Sequence, residues 1–445
     1  MIRFWNVAYC RATICHTILS TAVIIEKLLI IAIIYTDCYA ATSSRSILAE
    51  LDYLGHPLPE GTFMQQEENL FTHQDTLANL HENLPLTDKL RFIHQVIRQD
   101  FPFIDRLAIA LFDEKTEMLK TYTHSTEGND SPVTTYEAPL SSAPSLHAII
   151  AHRRPRLVQD LNIFSHGTHE HTKRVAAKGY KASYTMPLYQ SGTFIGFLFF
   201  NSLQEHPFTP QTLRQVDIYG HLIALMVINE LTAIRTLLAA VRAARNMTHY
   251  RDLETGSHID RTAHYARLIA RELSPSYHIT DEQIEHIFLF SPMHDVGKIG
   301  IPDSILRKPS KLNTEEFDVM KTHPAKGREI IDSVLEDFSL GTFGHVNILR
   351  NIAEYHHEAI DGSGYPKGLK GDEIPIEARI SAVADVFDAL TSRRTYKAPW
   401  SNEEAFTMLR QMSNSKLDQD CVEALINNAD KILEIQQLFR DEELV

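Results

Sequence analysis

Apolar residues recur at three- and four-residue spacing from Leu84 to Ile97, which predicts an amphipathic helix. The run Arg106 to Phe112 reads instead as a strand, turning at Asp113-Glu114-Lys115 into a second strand over Met118 to His124. A helical pattern covers Ser145 to His152, Arg156 to Val158 suits a short strand, and Ser183 to Phe200 reads as a hairpin whose turn is Gln190-Ser191-Gly192. Helical periodicity then runs unbroken from about Pro210 through Met247. Within it Val227, Leu231, Ile234, Leu238 and Val241 step by four and three, the seam of a parallel two-chain helix or the face of a helix packed on its own sheet. We expect the former, a homodimer helix carrying a sensor state forward. From Tyr250 onward the pattern is nearly all helical, with start signals at Thr280-x-x-Gln283, Asn313 and Ser401-x-x-Glu404. The fold class expected is therefore two-domain. An α+β module of one antiparallel sheet with helices (84–228) is joined by a linker helix (229–249) to an all-α domain (250–440).

An extension, 1–63, precedes these. Its segment 17–36 is long enough to span a bilayer, but Glu26 and Lys27 sit at the middle. Its eleven Ile, Leu and Val residues favour insertion by about 3–7 kcal/mol, against roughly 5–7 kcal/mol for the two charges. The balance is marginal, and flanking charges would send the remainder outside. We expect a cytoplasmic protein in which this stretch is either a weak membrane anchor or sequence upstream of the true start, Met64 being one candidate.

The 445 residues suffice for two or three domains, each with a real core. A formal charge of −14 disfavours polymeric nucleic acid as a partner, so a nucleotide must meet a local basic pocket. Three of the 4 cysteines lie in the extension, which excludes a disulfide framework and a thiolate zinc site. The sheet module has none. Histidine is unusually frequent at 23, and its placement matters. His166, His169 and His171 could bind metal or haem, but they fall in a polar stretch, where solvation is the expected state.

Histidines and carboxylates recur across separate helical segments of the second half: Glu254 and His258, His294 and Asp295, His323, His356 and His357, Asp385 and Asp388. Glu254 and His258 are four apart and share one helical face, as Asp385 and Asp388 do at a spacing of three. Asp385 sits among Val383, Ala384, Val386 and Phe387, where a carboxylate needs a partner or a cation. His294 and Asp295 are adjacent, diverging by about 100° on a regular helix, which suits one ligand per ion or a bridging Asp. Imidazole and carboxylate donors without thiolate suit Fe, Mn or Zn, and a carboxylate-bridged site of two or more ions is apparatus for phosphoester hydrolysis. Lys298 lies one turn away, Arg393, Arg394 and Lys397 supply cations after the Asp385 helix, and the glycine-rich loop from Asp361 to Gly368 can fold over a ligand.

The segments ETGSHIDR, HDVGKIGIPD, HHEAIDGSGYP and ADVFDALTSRRTYK together resemble the HD-GYP family, metal-dependent cyclic di-GMP phosphodiesterases of the wider HD superfamily. The resemblance spans about Tyr250 to Leu425. It implies that His294, Asp295, His323, His356, His357 and Asp385 form a two-metal core, with Glu254 and His258 adding a third ion. It further implies Lys298 on the scissile phosphate, Asp252, Arg394 and Lys397 on guanine or phosphate, and Gly364, Tyr365 and Pro366 in the family's loop. Two or three divalent ions, Fe or Mn, are the cofactors so implied, and cyclic di-GMP the substrate, opened to pGpG and onward to GMP if all three metals bind. The alternatives are another cyclic dinucleotide such as cyclic GMP-AMP, or a non-catalytic receptor acting through proteins with a GGDEF domain. Ala359 stands where the family commonly has Arg or Lys, which puts the loop's anchoring in question; Arg393 and Thr395 replace its usual Asp and Pro. The sheet module resembles a GAF domain, most clearly in MPLYQSGTFIGFLFFNS and the PFTPQTLRQVDIYGHLIALMV that follows, which implies regulation by a ligand nothing here names.

Overall fold

The computed structural model describes residues 73–440, apart from 129–134, 165–174, 176, 248–255, 339, 341–343, 393–398 and 414; side chains are not described for 241–247 and 256. The segment 17–36, the histidines at 166, 169 and 171, and Asp252, Glu254, Arg394 and Lys397 all lie outside the described residues. One compact unit runs from Thr76 to Val445.

It begins with helix α1 (Leu86–Asp100), followed by β1 (Arg106–Asp113), β2 (Met118–Thr126), β3 (Glu137–Pro139), α2 (Pro144–His152), β4 (Arg156–Val158), β5 (Ala182–Gln190) and β6 (Thr193–Ser202). The strands form one sheet in the order β3-β2-β1-β6-β5-β4, and every neighbouring pair is antiparallel. Alternation along β1 sends Leu107, Ile109 and Leu111 to a core shared with Leu90, Ile93 and Ile97 of α1. Ala108 faces the other way, with Phe197 and Phe199 of β6 and Leu146 and Ile149 of α2. The β5–β6 turn forms where expected: Ser191 and Gly192 both take positive φ, 50° and 87°, the conformation a tight hairpin requires. Strand β3 was not expected, since Glu137-Ala138-Pro139 holds no β-branched or aromatic residue.

Helix α3 (Pro210–Met247) is continuous, as the periodicity predicts, but its seam is filled within one chain. Val227 and Leu231 are buried in the core beneath the sheet, whereas Ile234, Leu237 and Leu238 are buried in the core of the helical half. This corrects the reading of those positions as a dimer face; Val241 is beyond the described side chains. A helix facing two successive cores shows the same stepping as a short coiled coil, and two heptads do not separate them. By length and composition Pro210–Ala240 could cross a membrane; Val227, Leu231, Ile234, Leu237 and Leu238 are spent on these cores, while Ile218 and Leu225 are exposed.

The helical half comprises α4 (Gly256–Tyr277), α5 (Asp281–Phe290), α6 (Asp303–Leu306), α7 (Thr314–Met320), α8 (His323–Asp337), α9 (Val346–Tyr355), α10 (Ile376–Thr391), α11 (Asn402–Met412), α12 (Gln419–Ile426) and α13 (Ala429–Leu438). Capping boxes open α5, α7 and α11 at Thr280, Asn313 and Ser401, as read from the sequence. Tyr265, Ile269, Phe290, Leu349, Ile380, Phe387 and Leu425 make the core on which the ligand-bearing segments rest.

Candidate metal centre

His294 and Asp295 do not sit on a regular helix. They occupy a bend between two 3-10 turns, Ser291–Met293 and Val296–Gly300. The bend allows the start of α8 to approach so closely that a Cβ on Gly297 would fall on the carbonyl oxygen of His323 and the amide of Gly327. Glycine at 297 thus brings His323 alongside Asp295.

Two groups of ligand-capable side chains result. Asp295, His323, His356 and His357 form one, and His258, His294 and Asp385 the other, the donor atoms within each lying inside 4.8 Å of one another. Asp295 faces both. Its Oδ1 is 3.1 Å from His323 Nε2 and 3.8 Å from His356 Nε2, and its Oδ2 is 3.3 Å from His294 Nε2. Asp385 Oδ1 lies 3.7 Å from His294 Nε2 and 3.9 Å from His258 Nε2. Lys298 Nζ reaches Asp295 Oδ2 at 2.7 Å.

The outer nitrogens decide what the inner ones can do. Nδ1 of His294, His323 and His356 donates to the backbone carbonyls of Ser291, Met320 and Ile352 at 2.8, 2.9 and 3.0 Å. A carbonyl only accepts, so the proton is on Nδ1 and the neutral ring turns the Nε2 lone pair inward. His258 is fixed in the same sense by Asp388, whose Oδ2 accepts from Nδ1 at 2.7 Å. Four lone pairs therefore converge on the oxygens of Asp295 and Asp385, an arrangement that repels itself unless a cation lies between. Burial lowers the pKa of His356 and of His357, keeping both neutral and able to ligate. Burial works against ionisation of Asp295, but the Lys298 charge overcomes it and holds the carboxyl well below its ordinary range.

Asp388 departs from its expected role beside Asp385. It is fully buried and turned away from the cluster, accepting from Arg261 Nε at 2.6 Å and Nη2 at 3.1 Å as well as from His258. It positions His258, a part that a spacing of three could not distinguish from ligation. Arg261 was not singled out at all, though its spacing of three from His258 was a usable signal.

The loop after the histidine pair is anchored without the missing cation at Ala359. Glu358 accepts from the amides of Lys367, Gly368 and Leu369 at 2.7, 3.2 and 3.0 Å, and Lys416 Nζ pairs with Asp361 at 3.1 Å. Gly364 packs so tightly that a Cβ would meet the Glu358 and Ala359 backbone. Tyr365 donates its amide to the His357 carbonyl at 3.2 Å and sets its ring 4.9 Å from that imidazole. Burial and the Asp295 charge push its phenol up to about 12. Gly364, Tyr365 and Pro366 thus stand beside His357, and Lys298 beside Asp295.

Residues 242–421 match the family model described as the HD domain. A cyclic di-GMP phosphodiesterase of Vibrio cholerae is 40% identical over 217 residues, 48% of this chain and 43% of that protein. The cyclic di-GMP phosphodiesterase response regulator RpfG of Xanthomonas campestris is 44% identical over 186 residues, 42% of this chain and 46% of its own. A 3′3′-cGAMP-specific phosphodiesterase 2 of V. cholerae is 38% identical over 196 residues, 44% of this chain and 35% of its own. The chain spans less than half the length of these relatives. Among solved structures, the GAF domain/HD domain protein from Geobacter sulfurreducens aligns at a TM-score of 0.27 and 14% identity, over 34% of this chain and 95% of that one.

Proposed function

We propose that this chain, which carries an HD domain over residues 242–421, is a metal-dependent phosphodiesterase that opens cyclic di-GMP. The observation carrying the proposal is the convergence of inward-facing imidazole lone pairs on the carboxylates of Asp295 and Asp385. Asp295, His323, His356 and His357 would hold one ion and His258, His294 and Asp385 another, Asp295 reaching both; Glu254 would contribute to a third. Nitrogen and oxygen donors without thiolate suit Fe, Mn or Zn, and the resemblance to the HD-GYP family selects Fe or Mn among them. Such ions, when bound, activate a water and polarise the phosphate.

The remaining work belongs to the side chains. Asp388 and the Ser291, Met320 and Ile352 carbonyls hold the imidazoles in the ligating tautomer. Lys298 places a positive charge beside Asp295, where negative charge builds on a phosphate oxygen during displacement. The water oxygen to phosphorus bond forms as the bond from phosphorus to the 3′-oxygen breaks, and the departing oxygen takes a proton, giving linear pGpG. The loop of Gly364, Tyr365 and Pro366 walls the site on the His357 side. The sheet module would govern turnover through a cavity of about 600 Å³ whose lining includes Arg106, Lys120, Tyr136, Arg156 and Phe199.

Anaerobically purified, metal-loaded protein incubated with cyclic di-GMP should yield pGpG or GMP, and Asp295→Ala should abolish both. Faster turnover of 3′3′-cyclic GMP-AMP would move the substrate assignment to that nucleotide. Tight binding without cleavage at two or more ions per chain would replace the enzyme with a receptor.

A further inference from the structure

A third group of metal-capable side chains lies outside this centre. Glu282 and His286 occupy successive turns of α5, and His345 stands just before α9; their donor atoms also fall within 4.8 Å of one another. His345 Nε2 is 3.2 Å from Glu282 Oε1. His286 Nε2 is 3.7 Å from Oε1 of Glu230, on α3. His286 Nδ1 donates to the Glu282 carbonyl at 2.7 Å, which fixes this ring, like those of the catalytic cluster, with its Nε2 lone pair turned toward the group.

The group sits where the sheet module meets the helical half. Glu282 Oε2 accepts from the Thr87 amide at 3.0 Å and Oε1 from the Leu86 amide at 3.2 Å, so a residue of α5 caps α1. Glu230 accepts from the Tyr122 hydroxyl of β2 at 3.0 Å. His286 is fully buried and Glu282 is 1% exposed.

We propose that Glu282, His286 and His345, with Glu230 as fourth ligand, form a Zn²⁺-class metal site that fastens the sheet module to the helical half. Two imidazoles and two carboxylates would supply the four protein ligands of a structural zinc site. The ligands come from α3, α5 and the residue preceding α9, and two of them are held by groups on α1 and β2. Bound metal would couple the modules across all these elements and raise resistance to unfolding. The proposal is independent of the hydrolase reading.

Crystals of the full chain grown with Zn²⁺ and measured across the zinc absorption edge test it directly. An anomalous peak between Glu282, His286 and His345 is the expected result. Peaks confined to the catalytic cluster would overturn it. In solution, Zn²⁺ titration against a chromophoric chelator should show one equivalent fewer in His345→Gln than in the unaltered chain, with Glu230→Gln weakening that same equivalent by about tenfold or more. Unchanged stoichiometry and affinity in both would also overturn it. If either substitution disturbs folding, the diffraction measurement on the unaltered chain decides. A junction peak in a protein that cleaves nothing would keep this site and refute only the hydrolase.

Discussion

Replacing Asp388 by Asn tests whether the His258 side of the centre is built as the geometry indicates. The carboxylate is fully buried and accepts from four donors: Arg261 Nε and Nη2, His258 Nδ1 and Ser392 Oγ. An amide keeps the shape but turns an N–H toward one or more of them and removes the buried charge that Arg261 pairs with. Removing one partner of a buried pair costs about 3–5 kcal/mol. At roughly 2.1 cal/mol/K of unfolding entropy per residue, a unit of about 370 residues loses about 4 °C of Tm for 3 kcal/mol. The second effect is chemical. His258 can keep a hydrogen bond to the new amide N–H only by moving its proton to Nε2, which removes the lone pair facing Asp385. Affinity for the ion on that side should fall about 10- to 100-fold, the scale for loss of a group that orients a ligand. Calorimetry of metal-free protein reads the first effect and metal titration the second. A variant that melts within a degree of the unaltered chain and binds metal equally well would refute the orienting role.

Three further outcomes follow from the same geometry. In Asp113, burial opposes ionisation, but Lys120 holds the carboxyl down to about 2. A depressed folded pKa gives stability that is complete above the unfolded value near 4 and lost as pH falls toward 2. The pair should contribute about 2 kcal/mol, so Asp113→Asn should flatten the fall of Tm between pH 4 and 2; equal slopes would count against it. Gly297→Ala puts a methyl onto the His323 carbonyl and should cost about 1–3 kcal/mol while displacing His323, seen as a lower Tm and metal content below that of the unaltered chain. Glu358→Gln leaves a loop amide facing an N–H, a loss of about 1–3 kcal/mol, so hydrogen exchange at Lys367, Gly368 and Leu369 should speed by about tenfold or more.

The elements were legible wherever their periodicity ran long or a cap marked the start. Strands β1, β2, β5 and β6 lie close to where alternation put them, and Thr280, Asn313 and Ser401 open their helices as expected. Strand β3 was invisible because Glu137-Ala138-Pro139 contains no β-branched or aromatic residue, whereas the equally short β4 was marked by Leu157 and Val158. The seam on α3 was visible but its partner was not, because stepping by three and four reports that a face is covered and says nothing of what covers it. At the centre, residue type and spacing brought forward every side chain of the two described ligand groups. They could not show that Asp388 turns away, since that follows from Arg261 arriving on α4. Glu358 was hidden inside a motif, its service to three loop amides being a matter of where the chain returns. Glu282 and His286 carry the same four-residue spacing as Glu254 and His258, but His345 lies too far along the chain to have been joined to them.

Helix α3 inserts Val227 and Leu231 into one core and Ile234, Leu237 and Leu238 into the next, with no break between. The two modules therefore share an angular phase as well as a covalent joint. A chimaera that grafts another sheet module onto this helical half must be spliced within α3 in whole turns. One residue too many would rotate everything downstream by about 100° and lift it about 1.5 Å along the axis, burying polar positions in one core or the other. Exchange of such modules between proteins is thereby restricted to crossovers that keep the helical count, even though no loop or ligand would be touched.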